Sequence, residues 1–295
     1  MKRRDLITAL AAMMASGAAL GGRSSIDKLV DIARQLPSSA PAPALFIGHG
    51  SPIYAITPNP FADSWYKLGL HLPRPSAIVV ISAHWLTPGQ TMLTAMSRPE
   101  TIHDFYGFPK ALHNKQYPAP GSPALAEGIA DAIRQPDIWL DESEWGLDHG
   151  TWSVLSQMYP VPNIPVIQLS LDTTQSHQFH FNLGRKLRFL RQRGVMIIGS
   201  GNLVHNLRET RRDNKIYGWA EEFDRRIAGF LRDGNWQAAV DFRELGKLSY
   251  LAHPTEEHYL PLLYTLGAAR EQDQLHFFNE ALVEGAISMR SLLLS

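Results

Sequence analysis

The chain of 295 residues contains no cysteine. That absence excludes disulfides, thiolate metal sites and a cysteine nucleophile together. Any metal must then be held by His, Asp, Glu or backbone oxygen. A surplus of charge is missing too, since 28 Lys and Arg stand against 28 Asp and Glu. A nucleic-acid binder normally carries a basic excess, so nucleic acid is not the expected partner. No GxGxxG follows the first strand-like run, and there is neither a GxxxxGK[ST] loop nor an HExxH helix. Ser51 and Ser200 lack the G-x-S-x-G context, which argues against a serine hydrolase. The apolar stretch from Leu6 to Leu20 is short and Ala-rich, a weak candidate for a membrane span.

What is there begins with that stretch. Residues 1–22 carry Lys2, Arg3 and Arg4, then the apolar segment, then small residues, the three-part layout of an export signal. The paired arginines before Asp5, Leu6 and Ile7 resemble a twin-arginine signal. The expectation is a periplasmic protein with no stable membrane span after signal removal; the alternative is a membrane anchor made by an uncleaved N-terminus. Residues 23–42 read as a short helix (IDKLVDIARQL) and a linker, and residues 43–295 as one domain.

Within that domain, Ala44–Ile47, Ala77–Ser82, Pro165–Leu171 and Val195–Ile198 are continuous apolar runs. A sheet covered on both faces needs strands of this kind. Helical patterns alternate with them over 122–134, 179–193, 220–232 and 257–269. The alternation predicts an α/β fold: a single three-layer domain around a central sheet. In such folds the functional crevice lies beyond the carboxyl ends of the strands. Three runs lead there into a loop with a histidine: His49 in GHGSP, His84 in SAHW and His205 in SGNLVHN. His258 follows a capping Thr255 and is expected as the third residue of a helix.

Neutral imidazole is the commonest protein metal ligand. The strand-end positions favour a metal-binding role for His49 and His84. His205 reads as a ligand or an acid/base, and His258 alone is evenly balanced between ligand and backbone cap. His149, in WGLDHGTW, is either a general base or a turn histidine bonded to Asp148. Trp145 and Trp152 around it are expected to wall an aromatic pocket, together with Phe105 and Phe108 of TIHDFYGFP. His177 and His180 are expected in solvent, and His253 as a turn former before Pro254.

GHGSP, SAHW, TIHDFYGFP, YPAPGSPALA, WGLDHGTW, VIQLSLD, SGNLVHNLR and PTEEHYLPLLYTLGAA follow one another over residues 43–288. In that order they resemble the 4,5-DOPA extradiol dioxygenase-like proteins of the class III extradiol ring-cleavage dioxygenases. The resemblance implies a mixed, largely parallel sheet and one divalent metal ion per chain, Zn(II) or non-haem Fe(II). It implies a small aromatic diol and dioxygen as substrates. It carries the metal role to His49, His84 and His258, with His205 a further ligand or the acid/base, and gives His149 a catalytic role. In better-known ring-cleaving members the position of His258 looks like a glutamate; an all-nitrogen set suits Zn(II) as well as Fe(II). Two rival functions on the same fold are a non-catalytic zinc-binding protein and a zinc-dependent hydrolase.

Overall fold

Aliphatic and β-branched runs form the centre of an eight-stranded sheet in the computed structural model, which describes residues 41–213 and 215–295. The predicted export signal and nearly all of the helix and linker before the domain lie outside the described residues. The strands are β1 (Ala44–Gly48), β2 (Ala77–Leu86), β3 (Thr91–Thr94), β4 (Ile138–Asp141) and β5 (Val166–Leu171). They continue with β6 (Val195–Gly201), β7 (Leu275–Phe278), β8 (Leu282–Val283), β9 (Ile287–Ser288) and β10 (Ser291–Leu294). The sheet order is β4-β3-β5-β2-β6-β1-β10-β7, with β8 and β9 paired separately. Its four central strands, β5, β2, β6 and β1, are mutually parallel. On one side β3 lies antiparallel to β5, and on the other β10 lies antiparallel to β1. The sheet is therefore mixed and mostly parallel, as expected.

Side chains alternate across the pleat, and here both faces are covered. Leu45, Ile47, Ile78, Val80, Met196 and Ile198 pack into one apolar cluster with Trp65 and Trp152. Those tryptophans come from α1 (Pro60–His71) and α3 (His149–Met158). Phe46, Val79, Ile81 and Ile197 face the opposite cluster. There they meet α2 (Pro123–Ala132), α4 (His177–Leu187), α5 (Gly218–Arg232) and α6 (Leu260–Gly267). Each fully buried aliphatic side chain contributes roughly 1.5–3 kcal/mol, so these two layers dominate stability.

Local signals set the helix starts. Asn59 accepts from the Ala62 N–H at 2.8 Å ahead of Pro60, and Ser176 accepts from Phe179 N–H at 3.3 Å. The Ser176 cap starts α4 two residues before the predicted 179. His180 consequently faces inward and is fully buried, with Nδ1 3.0 Å from the Tyr264 hydroxyl, rather than solvated. The last helix begins at Leu260, not at Glu257. Pro261 fits only the first turn of a helix, where no intrahelical N–H is needed. His258 therefore sits in the turn before α6 and not within a helix.

One buried cation closes the far side of the sheet. Arg191 donates to the carbonyls of Ala42, Ala268 and Leu294 and pairs with Asp273. It ties the entry to β1 to the end of β10. Removing either charge would leave the other buried and uncompensated, a loss of about 3–5 kcal/mol.

Candidate metal centre

The parallel strands β1, β2 and β6 all end at the same edge of the sheet, and five imidazoles gather beyond it. His49 follows β1 directly. Gly50 behind it has φ +58°, a turn that a residue with a Cβ adopts only under strain. His84 lies within β2 and not in a loop after it; a bulge between Ile81 and Leu86 shifts the pairing with β5 around it. His149 is the first residue of α3, and His205 makes an isolated bridge to Ile287. His258 is brought in by its own backbone. Its carbonyl accepts from Asn202 N–H at 2.9 Å, and an added Cβ on Gly201 would collide with that same carbonyl. A side chain at 201 would push His258 away from the group.

The ring geometry is specific. The centroids of His49, His84 and His258 form a nearly equilateral triangle with sides 5.1, 5.3 and 5.1 Å. Rings that share a tetrahedral ion through one nitrogen each, at about 2.1 Å, hold their centres roughly 5 Å apart. Nε2 of His49 and Nε2 of His84 face each other at 3.2 Å. His149 is placed less evenly, 3.9 Å from His84 and 5.7 Å from His49 by ring centre. Its ligand nitrogen still lies within 4.8 Å of those of His49 and His84, while that of His258 lies within the same distance of His205 and Glu257. His205 stacks on His258, with centroids 3.4 Å apart and planes at 8°.

The outer nitrogens of His49 and His258 are hydrogen-bonded, and that of His84 lies near a carboxylate. Nδ1 of His49 is 3.0 Å from Ser200 Oγ, whose own proton goes to the Gly150 carbonyl at 2.6 Å. The hydroxyl must therefore accept from the imidazole, which leaves Nε2 without a proton. Nδ1 of His258 is 3.1 Å from Glu257, and Nδ1 of His84 is 3.4 Å from Asp104. Outer partners of this kind fix tautomer and ring orientation around a bound ion. Asp104 also accepts from Nδ1 and from the backbone N–H of His149, both at 2.9 Å. The turn-histidine alternative named Asp148 as the partner of His149. Asp148 instead caps α3 and binds Ser82 and Gln168.

Electrostatics agree with a cation-seeking site. Burial first, and the neighbouring imidazoles second, push His49, His84 and His258 well below the ordinary histidine value. The same causes lower His205 to about 4. Burial alone would raise Asp104, but the His149 hydrogen bond and the nearby rings outweigh it and hold the carboxyl at about 2. The rings are thus neutral donors at neutral pH beside an ionised carboxylate. Neutral nitrogen lone pairs crowded together without protons are the donor set that a divalent ion satisfies.

The imidazoles open into a cavity of about 360 Å³, enough for one small ring compound. Phe105, Phe108, Tyr54, Val283 and Ile287 supply its apolar wall. Trp145 and Trp152 do not line it. Trp152 is buried under the sheet, donating its indole N–H to the Ile102 carbonyl at 2.8 Å, and Trp145 stacks on Trp85. His253 is fully buried with Nε2 2.8 Å from the Leu203 carbonyl, outside the cavity. The role of Asp104 and the wall formed by β8 and β9 carried no local signal in the sequence.

Residues 44–288 match the family described as the catalytic LigB subunit of aromatic ring-opening dioxygenase. The chain is 47% identical over 264 residues to the 4,5-DOPA dioxygenase extradiol of Escherichia coli K12, covering 86% of this chain and 95% of that protein. It is 36% identical over 253 residues to the 4,5-DOPA dioxygenase extradiol of Beta vulgaris, covering 83% and 94%. The crystal structure of an uncharacterized protein from Escherichia coli K12 superposes with a TM-score of 0.74 at 40% identity, over 86% of this chain and all of that one. The chain belongs to the LigB family of aromatic ring-opening dioxygenases. It is an extradiol dioxygenase, an oxidoreductase that depends on a metal.

Proposed function

We propose that the chain cleaves a DOPA-like catechol beside its two hydroxyls, with the ion held by His49, His84 and His258. The observation that carries this is the even triangle of those three rings, with the outer nitrogens of His49 and His258 hydrogen-bonded and that of His84 beside Asp104. A bound Fe(II) would supply the electrons that activate dioxygen and the positive charge that favours the ionised diol. Three protein nitrogens leave coordination positions free, as a catalytic rather than a structural site requires.

The remaining chemistry belongs to side chains. His149, with Nδ1 held by Asp104, keeps its Nε2 available to take a phenol proton as the diol docks. His205 lies parallel to His258, so its in-plane lone pair runs alongside that of His258 and does not converge on the same point. It is assigned to proton exchange at the ring, not to the ion. At neutral pH it is unprotonated and acts first as an acceptor. Phe105, Phe108 and Tyr54 hold the ring and keep water away from it, and the narrow cavity fixes which edge meets the histidines.

The test starts from protein purified without added metal. Metal analysis is expected to give one divalent ion per chain. Anaerobic loading with Fe(II), then L-DOPA and air, is expected to give oxygen uptake and a yellow ring-opened product; loading with Zn(II) gives neither. No uptake across a range of catechols would refute the reading. Export is part of the same proposal, resting on Arg3, Arg4 and the apolar segment after them. Replacing both arginines by lysine is expected to move the protein from the periplasmic to the cytoplasmic fraction.

A further inference from the structure

The mouth of the cavity carries one residue that its local structure does not explain. Glu284 lines the cavity next to Val283 and Ile287 and has φ +50°. That left-handed backbone is ordinarily given to Gly or Asn, and a longer side chain holds it only under strain. The turn cannot relax, because its backbone is bonded on several sides. The Glu284 carbonyl accepts from Arg211 N–H at 2.9 Å, the Gly285 carbonyl from Tyr217 N–H at 3.1 Å, and the Ala286 carbonyl from Asn206 N–H at 3.2 Å.

The residue is exposed, so its carboxylate is solvated, and it makes no hydrogen bond or ion pair among the described residues. Arg211 is near in space, but its guanidinium is paired with Asp213 at 2.5 Å and lies over the Tyr217 ring. The other acid lining the cavity, Asp104, is occupied by His84 and His149. Among the described residues, no Lys or Arg lines the cavity. Burial first and the Glu284 charge second disfavour ionisation of Tyr54, which lines the same cavity.

We propose that Glu284 selects the substrate by charge, favouring catechols with a cationic alkylammonium side chain over those with a carboxylate. The ring would enter toward the imidazoles, and the side chain would extend past Tyr54 to the strained turn. An anionic side chain would meet a carboxylate there with no cation to answer it, so discrimination comes from repulsion as well as attraction. The inference rests on the ring-cleavage reading for the direction in which the substrate enters.

Two ligands of similar length and opposite charge test it: 3,4-dihydroxyphenethylamine and 3,4-dihydroxyphenylpropionate. Binding is measured anaerobically by calorimetry on the metal-loaded protein, and oxygen uptake separately on the iron form. The wild type is expected to bind the amine about tenfold more tightly, a preference that shrinks with added salt. Glu284→Gln is expected to bring the ratio near one, and Glu284→Lys to invert it. Should Glu284→Lys fold poorly by thermal melting, the Gln variant decides. Equal affinities in the wild type, or a preference unchanged in Glu284→Gln, would overturn the proposal. Uptake with both catechols and no charge preference sinks this inference but leaves ring cleavage standing. Preference in binding with no uptake from any catechol does the reverse.

Discussion

Two sets of histidines in this molecule share burial and a lowered proton affinity, yet only one of them makes a site. His180 and His253 are fully buried, and burial lowers them to about 4 and about 3. Each satisfies one nitrogen within the fold, on the Tyr264 hydroxyl and the Leu203 carbonyl, and leaves the other without a partner. His49 and His258 are buried too and His84 partly so, but the outer nitrogens of His49 and His258 are bonded, that of His84 lies beside Asp104, and all three rings line one cavity. A depressed value therefore reports desolvation in both sets. A shared cavity, and not burial, is what distinguishes the proposed metal centre.

The sharpest way to break that comparison is to remove one converging ring. His84→Ala is expected to reduce oxygen uptake at least 10³-fold and to drop metal content well below one ion per chain. Retention of both would mean that the triangle is not the ion's seat. The second test turns on acid. His180 has an ordinary value of 6.5 in the unfolded chain and about 4 in the folded one. Between those values the unfolded state binds the proton first, so stability is full above pH 6.5 and falls as pH drops toward 4. The difference corresponds to roughly 3 kcal/mol. Around it, His177 lowers the value further while Asp172 and Glu256 raise it, so the window belongs to this neighbourhood. His180→Phe should lessen, by its own share, the fall of the melting temperature between pH 6.5 and 4, with His253 and the cavity histidines carrying the rest, while metal content is unchanged. An unchanged slope would show that the acid sensitivity lies elsewhere.

A smaller effect sharpens the role of the outer partners. Ser200→Ala removes the acceptor for Nδ1 of His49 and frees the ring to change tautomer. Losing a partner of this kind weakens metal affinity about tenfold or more, read by competition with a chelator. The matched change in the other set is Tyr264→Phe, which deprives His180 of its hydroxyl. It is expected to lower stability by about 1 kcal/mol and leave chelator competition unaltered. If the two substitutions affected metal affinity equally, the distinction between the two sets would be lost.

The four parallel strands were legible because their residues are apolar without interruption, which only a doubly covered sheet rewards. β3, β4, β7 and β10 are four residues each and lie toward the edges, where short segments give little periodicity to read. His49 and His84 stood out because each closes a buried run. His149 was legible as a candidate, but its partner was not. Asp104 lies 45 residues away and meets it only after folding. Trp145 and Trp152 were misplaced for a related reason: Trp145 precedes α3 and stacks on Trp85, and the Trp152 indole is held by the Ile102 carbonyl, partners that lie far away in sequence. Glu284 had no signal at all, since its interest comes from a backbone angle and an unoccupied carboxylate.

By itself, the amino-acid order determined which elements form and which residues could bind an ion, since periodicity, capping and the lack of thiols are local properties. Tertiary structure alone decided that imidazoles from five separate segments point at one cavity, with tautomers set by Ser200, Asp104 and Glu257. The reason is physical: direction and distance between side chains far apart in the chain arise from strand register and helix packing, and no short stretch of sequence encodes either.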